Sequence, residues 1–150
     1  MCAIKDVCSS RIVGYSIGAR MKARLAVVAL EMTVARSGGD VAEWVVQSGR
    51  ESQAVFNRSK KFTRALARHG LAGSMGRVSA AGDSAAMESF FVLVQKNVLD
   101  RRRWVSRDQL RIAILTWIEG MCHRRRRKTR SGRLTPIEYK AISESPALAA

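Results

Sequence analysis

Acidic residues are scarce in this chain: 12 Asp and Glu stand against 27 Lys and Arg, a net charge of +15 over 150 residues. Such an excess disfavours cationic partners and favours a polyanion. Aromatics are also few, with three Trp, two Tyr and four Phe. That is thin material for a single-strand platform on which successive bases stack, and it favours backbone contact to a duplex. The three cysteines, Cys2, Cys8 and Cys122, form no C-x-x-C pair and leave an odd thiol. A disulfide scaffold is thereby disfavoured and a reducing cytosol fits better. Long apolar runs are missing too, the longest being Leu25 to Leu30, so no membrane span is expected. The opening Met1-Cys2-Ala3-Ile4-Lys5-Asp6 lacks the charged-then-apolar pattern of a secretory signal, so a cytoplasmic location is expected. Neither an internal repeat nor a long linker interrupts the chain.

What remains is an apolar fraction of 47%, enough for a folded protein with one core. The positive charge is unevenly spread. Between Arg101 and Arg133 lie five basic residues up to Arg111 and seven more from Arg124, against only Asp108 and Glu119. Two-thirds of the net charge therefore sits in about a fifth of the chain. A concentrated cationic face gains affinity for DNA or RNA by releasing condensed counterions, whatever the base sequence.

Hydrophobic periodicity gives the elements. Arg11–Ile17 alternates and is β-branched, which predicts a strand, with Cys2–Val7 as its partner and Ser9-Ser10 as the connection. Met21–Ala35 predicts a largely buried helix on the stripe Met21, Leu25, Val28 and Met32, ended by Ser37-Gly38-Gly39. Trp44–Val46 and Ser74–Val78 are short strand candidates. Between them a helix from Ser59 carries Phe62, Ala65, Leu66 and His69 on one face, with Gly70 closing it. A further helix over Ser84–Leu99 has Met87, Phe90, Phe91, Val94 and Val98 as its apolar stripe. Ser106 with Gln109, and Thr135-Pro136 with Glu138, are start signals for two more helices. Early strands alternating with helices define an α/β class.

Four stretches carry a family resemblance. Ala3–Tyr15 is similar to paired strands of bacterial insertion-sequence transposases with a DDE-type, retroviral-integrase-like catalytic core. Ser74-Met75-Gly76-Arg77, then Gly82-Asp83-Ser84-Ala85-Ala86-Met87-Glu88-Ser89-Phe90-Phe91, resembles their third catalytic segment. Arg124 to Arg127, followed by Gly132-Arg133-Leu134-Thr135-Pro136, resembles their C-terminal end. The resemblance implies a ribonuclease-H-like mixed sheet flanked by helices, with the first strand truncated and a basic helical extension. Residues 1–100 would form the truncated catalytic core and 101–150 its basic C-terminal part.

The same resemblance implies DNA integration and transposition by phosphoryl transfer, with Mg²⁺ as cofactor. Two metal ions would activate the attacking oxygen and stabilise the leaving one, held by three carboxylates. The first acid matches Asp6 and the third Glu88, which are thus the expected metal ligands and catalytic residues. At the second acid the pattern breaks: Gly49 takes the place of the Asp, Gln47 that of a His, and Glu51 that of a Gly. The interval from Gly49 to Glu88 is also longer than the family's, which implies a short insertion around Ala54-Val55-Phe56. Counting the family interval back from Glu88 lands on Ser52. Glu51 is the nearest carboxylate, but a one-residue slip on a strand turns its side chain to the other face.

The resulting expectation is a degenerate transposase core, inactive in metal-dependent phosphoryl transfer because Gly49 replaces the second acid. Its alternative is a non-catalytic DNA-binding remnant or an inhibitor of an intact transposase. DNA contacts are expected from Lys96, Arg124, Arg125, Arg126, Arg127, Lys128 and Arg130. A homo-oligomer, or pairing with an intact transposase, is the protein association left open. Cys122-His123 lacks companions at zinc spacing, and Gly70, Gly73 and Gly76 are followed by no P-loop Lys-Ser/Thr. His69 reads as a core or cap residue.

Overall fold

The computed structural model describes residues 1–20, 22–39, 41–48, 59–75, 81–127 and 129–143. Within them the fold is mixed α/β. Strands β1 (Cys2–Lys5) and β2 (Ile12–Ser16) form one two-stranded sheet. Helix α1 (Ala23–Arg36) follows, then β3 (Val45–Ser48), α2 (Lys60–Arg68) and β4 (Ala72–Met75). The long helix α3 (Ala81–Asn97) leads through a 3-10 turn, Leu99–Arg101, to α4 (Arg107–Trp117). A wide π turn over Ile118–Cys122, a 3-10 turn over Thr129–Ser131 and α5 (Pro136–Ser143) are the last elements among the described residues. Two compact units result: Met1–Ile4 with Val13–Ala86, and Lys5–Ile12 with Met87–Ala150. The boundary expected near residue 100 falls inside the second unit.

The first unit is built on apolar packing. Ala26 and Leu30 of α1 meet Phe62, Ala65 and Leu66 of α2, with Val41 and Leu71 closing the cluster. Leu30 has no exposed surface, a burial that contributes about 2 kcal/mol. Strands β3 and β4 run parallel, with Val45 opposite Ala72 and Ser48 opposite Met75. A parallel pair needs a crossover, and α2 supplies it. The second strand of this pair begins two residues earlier than the periodicity predicts; residues 76–78 of that prediction lie outside the described ones.

The stripe on α1 is rotated from its expected position. Ala26, Ala29, Leu30 and Thr33 are buried, whereas Val28 is 44% exposed. Gly14 of β2 explains the rotation: a Cβ there would overlap the Ala29 carbonyl and the Thr33 hydroxyl oxygen. The backbone of α1 therefore approaches β2 through its smallest residues. Arg36 adds a guanidinium 5.1 Å above the Tyr15 ring and donates a hydrogen bond to its hydroxyl (3.2 Å).

In the second unit Phe90 and Val94 of α3, Val98 just after it, Ile114 of α4 and Ile118 at the start of the π turn are all buried. The Phe90 and Trp117 rings lie 6.2 Å apart. Phe91, expected on the apolar stripe of its helix, is 41% exposed. Both helix-start signals form. The Ser106 hydroxyl accepts from the Gln109 N–H (3.2 Å), and Thr135 and Glu138 cap each other reciprocally.

Candidate functional site

Asp6 sits in the turn between β1 and β2, inside the second unit. Its backbone N–H donates to the Arg11 carbonyl (2.8 Å), closing the turn. Both carboxylate oxygens are engaged from within the same turn. Oδ1 accepts from the Cys8 N–H (2.9 Å), while Oδ2 accepts from the Ser9 N–H (3.2 Å) and the Ser9 hydroxyl. Short polar side chains favour turns for this reason: they satisfy backbone donors that neither strand can reach. Ser10 adopts a left-handed φ of 59° to let the chain reverse. Asp6 thus serves as the internal brace of the turn.

Glu88 is exposed on α3 and, among the described residues, makes no hydrogen bond or ion pair. Further along the helix, Gln95 donates to Asp100 (2.6 Å), and Lys96 is exposed. The second-acid region, with Gly49, Glu51 and Ser52, lies outside the described residues.

Three carboxylates converging on a point would fit a pair of divalent cations. Among the described residues no group of three or more His, Cys, Asp or Glu side chains is placed to hold a metal. Asp6 has its oxygens committed to three donors, each of which a cation would have to displace. The described residues therefore do not fit a two-metal centre, and no chemical step is derived through one.

The arginine run fares differently. Arg124, Arg125, Arg126 and Arg127 all follow the π turn with exposed side chains. Lys128 lies outside the described residues, as does the side chain of Arg130. Arg127 is held in place, donating to the Arg133 carbonyl (3.1 Å) and pairing with Glu138 (3.3 Å). Arg126 lines a small open cleft of about 30 Å³ with Lys5, Ser10, Ser89, Phe90 and Cys122, enough to admit water.

Sequence reasoning missed His123. It is fully buried, and its Nε2 accepts the Ile12 N–H (3.2 Å) while Nδ1 lies 3.0 Å from Glu119 Oε2. With Nε2 accepting, the proton belongs on Nδ1, and the imidazole joins the start of β2 to the end of the α4 segment. The i, i+4 spacing of Glu119 and His123 was the available signal. His69, read as a core or cap residue, caps α2 and meets Glu31 at 3.0 Å.

No family model matches the chain, and no solved structure matches it. Its sequence relatives are more telling: the chain is a relative of bacterial insertion-sequence transposases. It is 30% identical over 142 residues to the transposase InsF of insertion sequence IS3fB from Escherichia coli K12, covering 93% of this chain and 47% of that protein. The InsF transposase of IS3A from the same organism is 29% identical over 140 residues, with the same coverage. The uncharacterized 31 kDa protein of insertion element IS600 from Shigella sonnei is 32% identical over 140 residues, covering 93% of this chain and 50% of that one. The chain spans about half the length of the curated relatives it matches. No helix among the described residues is long and apolar enough to cross a membrane.

Proposed function

We propose that this chain is a transposase-core protein that works in DNA transposition and integration by holding duplex DNA, and that it does not itself perform metal-dependent phosphoryl transfer. The observation that carries the reading is similarity to named transposases along 93% of the chain. The order β1-β2-α1-β3-α2-β4-α3, with a parallel pair joined through a helix, supports a ribonuclease-H-like core. The exposed side chains of Arg124 to Arg127 supply the chemistry for DNA. A guanidinium presents a planar fork of donors that matches two phosphate oxygens, and each neutralised phosphate frees a counterion. Lys96, Lys128 and Arg130 are assigned the same role in this reading.

The catalytic half of the reading rests on two departures. Gly49 stands where the family's second acid is expected, and Asp6 braces its own turn. We therefore assign Asp6 to the turn and leave Glu88 as the exposed acid, with Mg²⁺ as a cofactor the family resemblance implies and the described residues do not hold. Fluorescence anisotropy of a labelled duplex across a salt series, with Mn²⁺- and Mg²⁺-dependent nicking of the same duplex, tests both halves. The expected result is tight, salt-sensitive binding and no nicking beyond that of Glu88→Gln. Nicking that disappears in Glu88→Gln would overturn the catalytic half. Failure to bind at low salt would overturn the DNA half.

A further inference from the structure

We infer that the loop joining α3 to α4, and Arg102 in particular, is a preformed contact for the phosphate backbone of duplex DNA. The inference rests on the DNA-holding reading above and adds a segment distinct in sequence from the Arg124–Arg127 run. Arg101, Arg102 and Arg103 are all exposed. A run of exposed arginines is ordinarily a solvated, mobile face, which costs side-chain entropy to order on binding. Here the geometry differs. The Arg102 guanidinium lies 4.5 Å from the centre of the Trp104 ring. Trp104 is itself anchored, its indole N–H donating to the Leu99 carbonyl (3.2 Å). Stacking leaves the in-plane donors of a guanidinium free while fixing its plane, so the fork is oriented before a phosphate arrives.

The surrounding charges agree. Asp100, the acid nearest in the chain to the three arginines, accepts from Gln95, a neutral donor. Asp108 lies on the first turn of α4 beside Arg107, where a carboxylate favours the helix N-terminus. The backbone is also well determined: the Val105 N–H donates to the Gln109 side chain (3.3 Å), and Gln109 in turn donates to Ser106. A guanidinium on a braced loop suits a rigid, repeating array of phosphates. An anionic membrane is the other polyanion to consider, because Val105 is 93% exposed. One valine is a small apolar anchor, and the relatives are transposases, so duplex DNA is the partner argued for.

The test uses the full chain, a labelled 20-base-pair duplex and anionic vesicles. Wild-type affinity is measured across a salt series beside Arg102→Ala and Arg102→Lys, with thermal unfolding of each. Arg102→Ala is expected to weaken duplex binding about tenfold and to lower the slope of log K against log salt by about one, with its unfolding temperature unchanged. Arg102→Lys should restore the slope and leave most of the affinity loss, because the charge returns without the stacked fork. Should wild type bind and Arg102→Ala match it in affinity and slope, the inference falls while the DNA reading stands. Should wild type not bind duplex at all, both fall. Preference for vesicles, abolished by Val105→Ser, would assign the loop to a membrane and overturn the inference.

Discussion

The two compact units are held together by different means. Between α1 and α2 the contacts are apolar side chains, and polar pairs such as Glu31 with Arg68 and His69 stay at the margin. In the second unit a polar side chain is central: the buried His123 imidazole binds a backbone N–H on one side and a carboxylate on the other. The first unit should therefore answer to changes of volume, and the second to changes of donor, acceptor and charge. The arginines emphasise the contrast, since a unit so basic on its surface is closed inside by neutral and paired groups.

Leu30→Ala should give the largest effect, a loss of about 3 kcal/mol in urea unfolding, because the cavity lies in a packed core. Hydrogen exchange should place that loss in the first unit; equal loss of protection in α4 would break the comparison. His123→Leu comes next. It strands the Ile12 N–H in a buried place, at a cost of about 2 kcal/mol that exchange should locate in the second unit. A variant as stable as wild type would show that packing, and not the two hydrogen bonds, is what this position contributes.

Thr135→Ala removes one arm of the reciprocal cap on α5 and should cost about 1 kcal/mol, read from faster exchange over 136–143. The smallest effect is expected from acid. Hydrogen bonds from the Thr135 backbone and side chain, with Arg127 nearby, hold the Glu138 carboxyl below its ordinary range. A carboxylate depressed by folding lends stability that is fully present above its unfolded pKa and disappears as pH falls through its folded value. Helix α5 should fray there first, and Glu138→Gln should remove that pH dependence. An unchanged acid profile in Glu138→Gln would assign the titration to another group.

Local chemistry was legible in the sequence; orientation was not. The caps at Ser106 and Thr135 could be read because a helix start is decided within four residues. The exposed arginines could be read because charge has few places to go other than the surface. The buried face of α1 could not, because Ala29 faces inward on account of Gly14, a residue remote in sequence that leaves room for helix backbone. Asp6 shows a second kind of limit. The family resemblance speaks to its role and not to its local hydrogen bonds, in which its oxygens accept from Cys8 and Ser9 of its own turn. An Asp followed within three positions by Ser was a turn signal in plain view. For His123 the i, i+4 spacing to Glu119 was readable, but the bond to Ile12 was not, since that partner comes from the other end of the chain.

The parallel pairing of β3 with β4 also sets an order of events. Partners as distant in the chain as Val45 and Ala72 cannot meet until the intervening crossover has been laid down, so this ladder pays loop-closure entropy before any hydrogen bond rewards it. The internal hydrogen bonds of α3 and α4 join residues four apart and need no such closure, although the Ile12–His123 bond that closes the second unit does. A newly made chain should therefore acquire its arginine-bearing helices quickly and its first unit slowly, leaving the Val45–Ser48 edge open for association in the interval.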